Sequence, residues 1–168
     1  YLNELDIRQT KLVDSARIDK EGRFQFEWYP DETGFYILRI DEYNYITLFT
    51  EPGETTELVS DAIPLQANYK VSGSEGSQLL REYFTRLEAH KKTVDSLKRG
   101  FEDSKYLRDF FGIKKHLDSV YEQTFQNYRQ YVIGFISENS LSPVSLFVIN
   151  QKFGPQTVFD EISDFEYF

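Results

Sequence analysis

The spacing of the apolar residues changes once along this chain, near residue 73, and that change limits what the chain can fold into. Up to about residue 72 the pattern repeats every two positions; from Ser74 onward it repeats every three to four. Repetition in twos lines one face of a strand, and repetition near 3.6 lines one stripe of a helix. Strands in one block and helices in the next describe an α+β chain, not the alternating βαβ order of a parallel sheet.

In the first block, "GRFQFEWY" sets Phe24, Phe26 and Trp28 against Arg23, Gln25 and Glu27, the alternation of a half-buried strand. "KLVDSARI" puts Leu12, Ala16 and Ile18 on one parity with Asp14, and the intervening "DKEG" offers Gly22 for a short hairpin turn. "YLNELDI", "GFYILRI", "YITLFT", "TTELVS" and "NYKVSG" are further strands, with Pro52-Gly53 breaking the chain between two of them. The expected architecture for residues 1–72 is an antiparallel β-sandwich, or a partly open barrel, of six or seven strands.

In the second block, Leu80, Tyr83, Phe84, Leu87, Val94, Leu97 and Phe101 make one helical stripe, which Gly100 and "EDS" end or interrupt. A second stripe runs from Leu107 to Ile136 and stops at "ENSLSP". Ser142-Pro143 has the cap-then-proline order of a new helix, expected to run to Gly154-Pro155. A last short helix is expected from near Gln156. Residues 73–168 thus read as a helical hairpin followed by two shorter helices.

Composition excludes several functions. With 40% hydrophobic residues, 15 Phe and 12 Tyr, the chain has enough apolar surface to offset the entropy of ordering it. A net charge of -9 disfavours nucleic acid and anionic membranes, both of which attract basic surfaces. Cysteine is absent, which removes disulfides, thiol nucleophiles and Cys-based zinc sites. Methionine is absent too, so the chain is expected to be a piece of a longer polypeptide. No apolar run approaches the length of a membrane span.

Candidate sites are few. "YKVSGSEGSQLLREYF" places glycines and serines between a strand and a helix, where phosphate loops occur. A phosphate loop needs Lys and Ser/Thr after its last glycine; here Gly76 is followed by Ser77 and Gln78. Ser74 or Ser77 suits a helix cap, and Glu75 and Gln78 suit the positive end of the helix. His90 shares the apolar stripe and reads as a half-buried packing residue, while His116, beside Lys114 and Lys115, reads as solvated. "DKEG" at Asp19–Gly22 lacks the ligand ladder of a calcium loop. No nucleophile elbow supports a Ser-His-Asp triad, and the scattered carboxylates give a hydrolase little support. Tyr29, Tyr36, Tyr43 and Tyr45 offer a stacking face for glycans or peptides, with plain packing as the rival. No catalytic, cofactor-binding or metal-binding residue is assigned, and no cofactor is expected.

"VDSARIDKEGRFQF", "GFYILRI" and "YKVSGSEGSQLLREYF" resemble the N-terminal domain of unknown function that precedes a thioredoxin-like domain in envelope proteins of anaerobic Gram-negative bacteria. Asp14-Ser15, the Asp19/Gly22/Phe24/Phe26 hairpin and the Gly73–Ser77 junction carry the likeness. "ENSLSPVSLFVI" and "VFDEISDFEYF" fit the helical segment leading into that domain. The resemblance implies a partner domain of the alkyl hydroperoxide reductase/thiol-specific antioxidant type further along the same chain, in an exported and often lipid-anchored thiol-disulfide interchange protein. It also implies a non-catalytic accessory role here, positioning the redox module or presenting envelope protein substrates to it. Without a cysteine, this stretch cannot itself exchange a disulfide.

Overall fold

The computed structural model describes residues 1–6, 9–60, 64–154, 156–160, 164 and 167. Strands β1 (Leu2–Leu5), β2 (Thr10–Asp14), β3 (Gly34–Arg39) and β4 (Tyr45–Thr50) form one antiparallel sheet in the order β2-β1-β3-β4. Strand β5 (Glu57–Ser60) is followed by the short helix α1 (Leu65–Asn68) and by β6 (Tyr69–Ser72), which pairs with β5. The long helices are α2 (Glu75–Ser104) and α3 (Phe110–Glu138), followed by α4 (Pro143–Ile149) and the two-residue strands β7 (Lys152–Phe153) and β8 (Gln156–Thr157). The chain is thus mixed α+β, with an antiparallel sheet and several helices. It divides into two units, residues 1–82 and 83–168.

In the first unit, alternate residues of β3 and β4 face one core: Tyr36 and Leu38, then Ile46 and Leu48, joined by Leu2, Leu65 and Tyr69. Phe26, Trp28, Leu58 and Val71 pack on the same cluster from the opposite layer. The expected six- or seven-stranded sandwich does not form among the described residues. Four strands make the sheet, two make a separate pair, and "GRFQFEWY" joins neither. Its alternation is real in burial, since Phe26 and Trp28 are part-buried while Gln25 and Glu27 are exposed. Alternation reports which side meets the core; a ladder also needs a neighbouring strand, and among the described residues this segment pairs with none.

Two other expectations of the first unit meet different fates. "DKEG" does turn: Gly22 has φ +81, and the Asp19 N–H donates to the Arg23 carbonyl at 2.9 Å. The parity of "KLVD" is reversed, because Val13 packs on the core while Leu12 is exposed. Leu2 pairs with Asp14 but Asn3 with Leu12, so an extra residue, Val13, bulges from β2 and flips the faces.

The glycine- and serine-rich junction binds α2 to the sheet. The Ser74 and Ser77 hydroxyls both donate to the Phe49 carbonyl at 2.7 Å. Ser77 Oγ also accepts from the Phe49 N–H at 3.0 Å, and Ser74 Oγ caps the helix by accepting from the Ser77 N–H at 3.3 Å. Phe49 lies in β4, the edge strand, so serine side chains stand where a fifth strand would otherwise pair. Both glycines are required here. Gly73 has φ +80, and a Cβ there would sit 2.0 Å from the Thr55 carbonyl; one on Gly76 would sit 2.2 Å from the Phe49 ring. Arg81 Nε, one turn on, donates to the Tyr69 carbonyl at 2.8 Å, so the same helix end grips β4 in one layer and β6 in the other.

In the second unit, α2 and α3 run antiparallel, with Phe101 against Phe110 near the connection and Tyr83 against Tyr128 far from it. The Tyr83 and Tyr128 hydroxyls share a 2.6 Å hydrogen bond in the fully buried core, where Val132, Val144 and Val148 also lie. Gly100 neither ends nor interrupts α2, which continues to Ser104. Leu107 falls before α3 and is exposed. Ser142 and Pro143 start α4 as expected, the Ser142 hydroxyl accepting from the Val144 N–H. That helix stops at Ile149, short of Gly154-Pro155. The helix expected from Gln156 is instead the strand β8, paired with β7 across Gly154 at φ +62; the rest of that stretch falls largely outside the described residues. A glycine with positive φ suits a tight reversal, which outweighs weak helical spacing over so few residues.

The junction gives a direct stability test. Ser77→Ala leaves the buried Phe49 N–H without an acceptor and is expected to cost about 2 kcal/mol. Gly76→Ala drives a methyl into the Phe49 ring and is expected to cost roughly 1–3 kcal/mol. Urea unfolding midpoints of both variants measure this, and two unchanged midpoints would remove the junction's structural role.

Candidate functional site

The residues singled out for chemistry are dispersed by the fold. Ser74 and Ser77 spend their hydroxyls on Phe49 and face no open anion site. Asp19 closes its turn, accepting from the Glu21 and Arg23 amides and from Arg23 Nε, and these hydrogen bonds, the Arg23 amide's above all, lower its pKa. That hydrogen bonding is spent on the turn, not on a cation. His116 is exposed on α3. Among the described residues no three His, Asp or Glu side chains gather as metal ligands.

His90 packs edge-on to Tyr128 at 5.3 Å and to Phe153 at 6.3 Å. Burial lowers its pKa, with the Arg86 charge adding to the effect. The Tyr83 hydroxyl is held far above the ordinary phenol range, mainly by burial, and the Tyr128 hydroxyl is also raised by burial. Both hydroxyls are buried in the helical core.

The four tyrosines do not make one face. Tyr36 is 2% exposed, beneath Trp28 with ring centroids 4.2 Å apart, and burial raises its hydroxyl to about 12. Tyr29 and Tyr43 are 85% and 80% exposed. Tyr43 belongs to the β3–β4 turn, whose Asp41 carboxylate accepts from the Tyr43 and Asn44 amides, whereas Tyr29 follows Trp28 in the unpaired segment. Tyr45 starts β4 opposite Arg39.

A different feature stands out in the first unit. Residues 24–29 form one wall of a groove of about 670 Å³, and β5 with the residues before it forms the other. The floor is the apolar face of the sheet, supplied by Leu2, Leu38 and Leu48. A second hollow of about 610 Å³ shares Phe24, Leu58 and Val59 and continues toward Gly22 and Leu65. Both walls have spare backbone hydrogen-bonding capacity. Among the described residues the N–H and C=O groups of 24–29 have no protein partner, and Glu57–Val59 of β5 pair with β6 on one edge alone. The Thr56 hydroxyl, in the same wall, is shielded from solvent and lacks a partner. Glu27, Glu54 and Glu57 line the larger hollow, with no Lys or Arg among its lining residues.

The sequence singled out Phe24, Phe26 and Trp28 as a strand and so concealed the groove, whose only advance signal was an aromatic alternation one strand in excess of its partners. Residues 1–80 match the family model of a domain of unknown function, DUF4369, a span that takes in all six strands of the first unit and the start of α2. No curated protein and no solved structure matches the chain.

His90 supplies a pH test of the second unit. Its pKa is lower folded than unfolded, so the unfolded chain binds more protons in the interval between the two values. The stability it contributes is complete above the unfolded value of about 6.5 and is lost as pH falls through the lowered folded value. His90→Phe, which keeps a ring against Tyr128 and Phe153, is expected to flatten the fall in unfolding free energy as pH drops below about 6.5. An unchanged slope would mean His90 ionises alike in both states.

Proposed function

We propose that this chain is a non-catalytic accessory domain of an envelope thiol-disulfide oxidoreductase. Its role is to present polypeptide partners to a thioredoxin-like module carried further along the same polypeptide, in a protein held at the envelope by a lipid anchor. The open groove of the first unit carries this reading, because it offers recognition surface without reactive groups at its floor. The chain has no cysteine, so any thiolate must come from elsewhere. Among the described residues no helix is long and apolar enough to cross a membrane, which fits attachment by other means. Tethering a recognition surface to a redox site raises the local concentration of whatever is bound there.

A second reading, glycan binding, draws on the exposure of Tyr29 and Tyr43, whose rings are free to stack on a sugar. Saturable binding on a glycan array, lost in Tyr29→Ala or Tyr43→Ala, would favour it.

The accessory role is tested by measuring disulfide reduction by the full-length protein with and without residues 1–168. Removal is expected to lower kcat/KM toward protein disulfides and to leave reduction of a small-molecule disulfide unchanged. Equal kinetics toward every protein substrate would count decisively against it.

A further inference from the structure

We infer that the groove between residues 24–29 and β5 takes up an extended segment of a partner polypeptide as an added β-strand, with aliphatic residues facing the sheet and basic residues facing the rim. This rests on the recognition role proposed above and names the chemistry of what is recognised.

Three observations lead to it. The first is the state of the walls: among the described residues, 24–29 have unpartnered backbone groups, and Glu57–Val59 of β5 are paired along a single edge. An extended peptide carries N–H and C=O groups on both of its edges, so one strand between these walls pairs with each of them. The second is the floor. Leu2, Leu38 and Leu48 form an apolar surface on which every other residue of such a strand would rest. The layer opposite the sheet already contains Phe26, Trp28, Leu58 and Val71, so the added strand would complete that layer and not begin a new one. The third is charge. Glu27, Glu54 and Glu57 meet no basic residue among the lining of the larger hollow, so the outward side chains of a bound strand are favoured as Lys or Arg. The orphaned Thr56 hydroxyl, shielded within the same wall, gives a further polar group for an incoming backbone.

Other candidate surfaces lack this combination. The tip of the α2–α3 hairpin exposes Tyr106 and Phe111, yet nothing there specifies an occupant. The Tyr83–Tyr128 pair is sealed from solvent.

Trp28 is the single tryptophan and lines the groove, so its fluorescence reports occupancy. The probe is a synthetic peptide of alternating Val and Lys, titrated into the chain. It is expected to shift Trp28 emission saturably. Three controls are each expected to weaken binding about tenfold or more: the same residues in separate Val and Lys blocks, alternation of Val with Glu, and alternation of Val with Lys carrying N-methyl groups on every second amide. Glu27→Lys with Glu57→Lys, both at exposed positions, is expected to reverse the preference toward the Val/Glu peptide. A response equal for alternating and block peptides, or indifferent to N-methylation, would overturn strand addition. So would silence toward every peptide, including the case where another part of the same polypeptide already fills the groove. Loss of peptide binding with the truncation effect on disulfide reduction intact would overturn this inference alone; the reverse outcome would overturn the accessory role alone.

Discussion

The grip of two serine hydroxyls on the backbone of Phe49 is the constraint on which the first unit depends. An exposed edge strand presents unpaired amides and carbonyls, and burying them unpartnered would cost more than the fold can spare. Ser74 and Ser77 satisfy that edge from the side, and the cap that Ser74 places on α2 makes edge protection and helix initiation a single event. Gly73 and Gly76 follow from this, since any side chain would hold the helix away from Thr55 and Phe49. Arg81 carries the grip to Tyr69, so the helix end fastens β4 and β6, one in each layer.

The second layer is fastened to the junction and still incomplete beside it, where Thr55 and Thr56 line the groove. Its β5–β6 pair and its unpaired segment 24–29 stand over the same apolar floor with a groove between them. The contacts of Phe26 and Trp28 with the core cluster hold the segment in place without a ladder. The groove is the feature on which the proposed recognition role rests. Its polar groups are backbone amides and rim carboxylates, and the buried hydroxyls of the second unit are pushed away from ionisation.

Much of the local structure was legible in the sequence, because periodicity and turn chemistry are local. The strands around Tyr36, Leu48, Leu58 and Val71, the turn at Gly22, and the Ser142-Pro143 helix start all appear where their residues place them. Pairing was not legible. "GRFQFEWY" has the same alternation as β3, yet among the described residues β3 has strands on both sides and "GRFQFEWY" pairs with none. The Val13 bulge, the short helix α1 and the β7–β8 reversal likewise arise from tertiary fit that no local pattern encodes. The groove escaped for the same reason, since it is a missing pairing and not a motif. The junction at Gly73–Ser77 could be recognised as a cap, but not its partner, which lies 25 residues earlier in sequence at Phe49.

Amide hydrogen exchange of the isolated chain, resolved by residue, tests this picture most directly. The Phe49 amide is expected to exchange as slowly as the amides of β3, and those of residues 24–28 to exchange far faster, as unpaired backbone does. Protection of residues 24–28 equal to that of β3 would mean the second layer is already a complete sheet, and the open groove, with the recognition role built on it, would be contradicted.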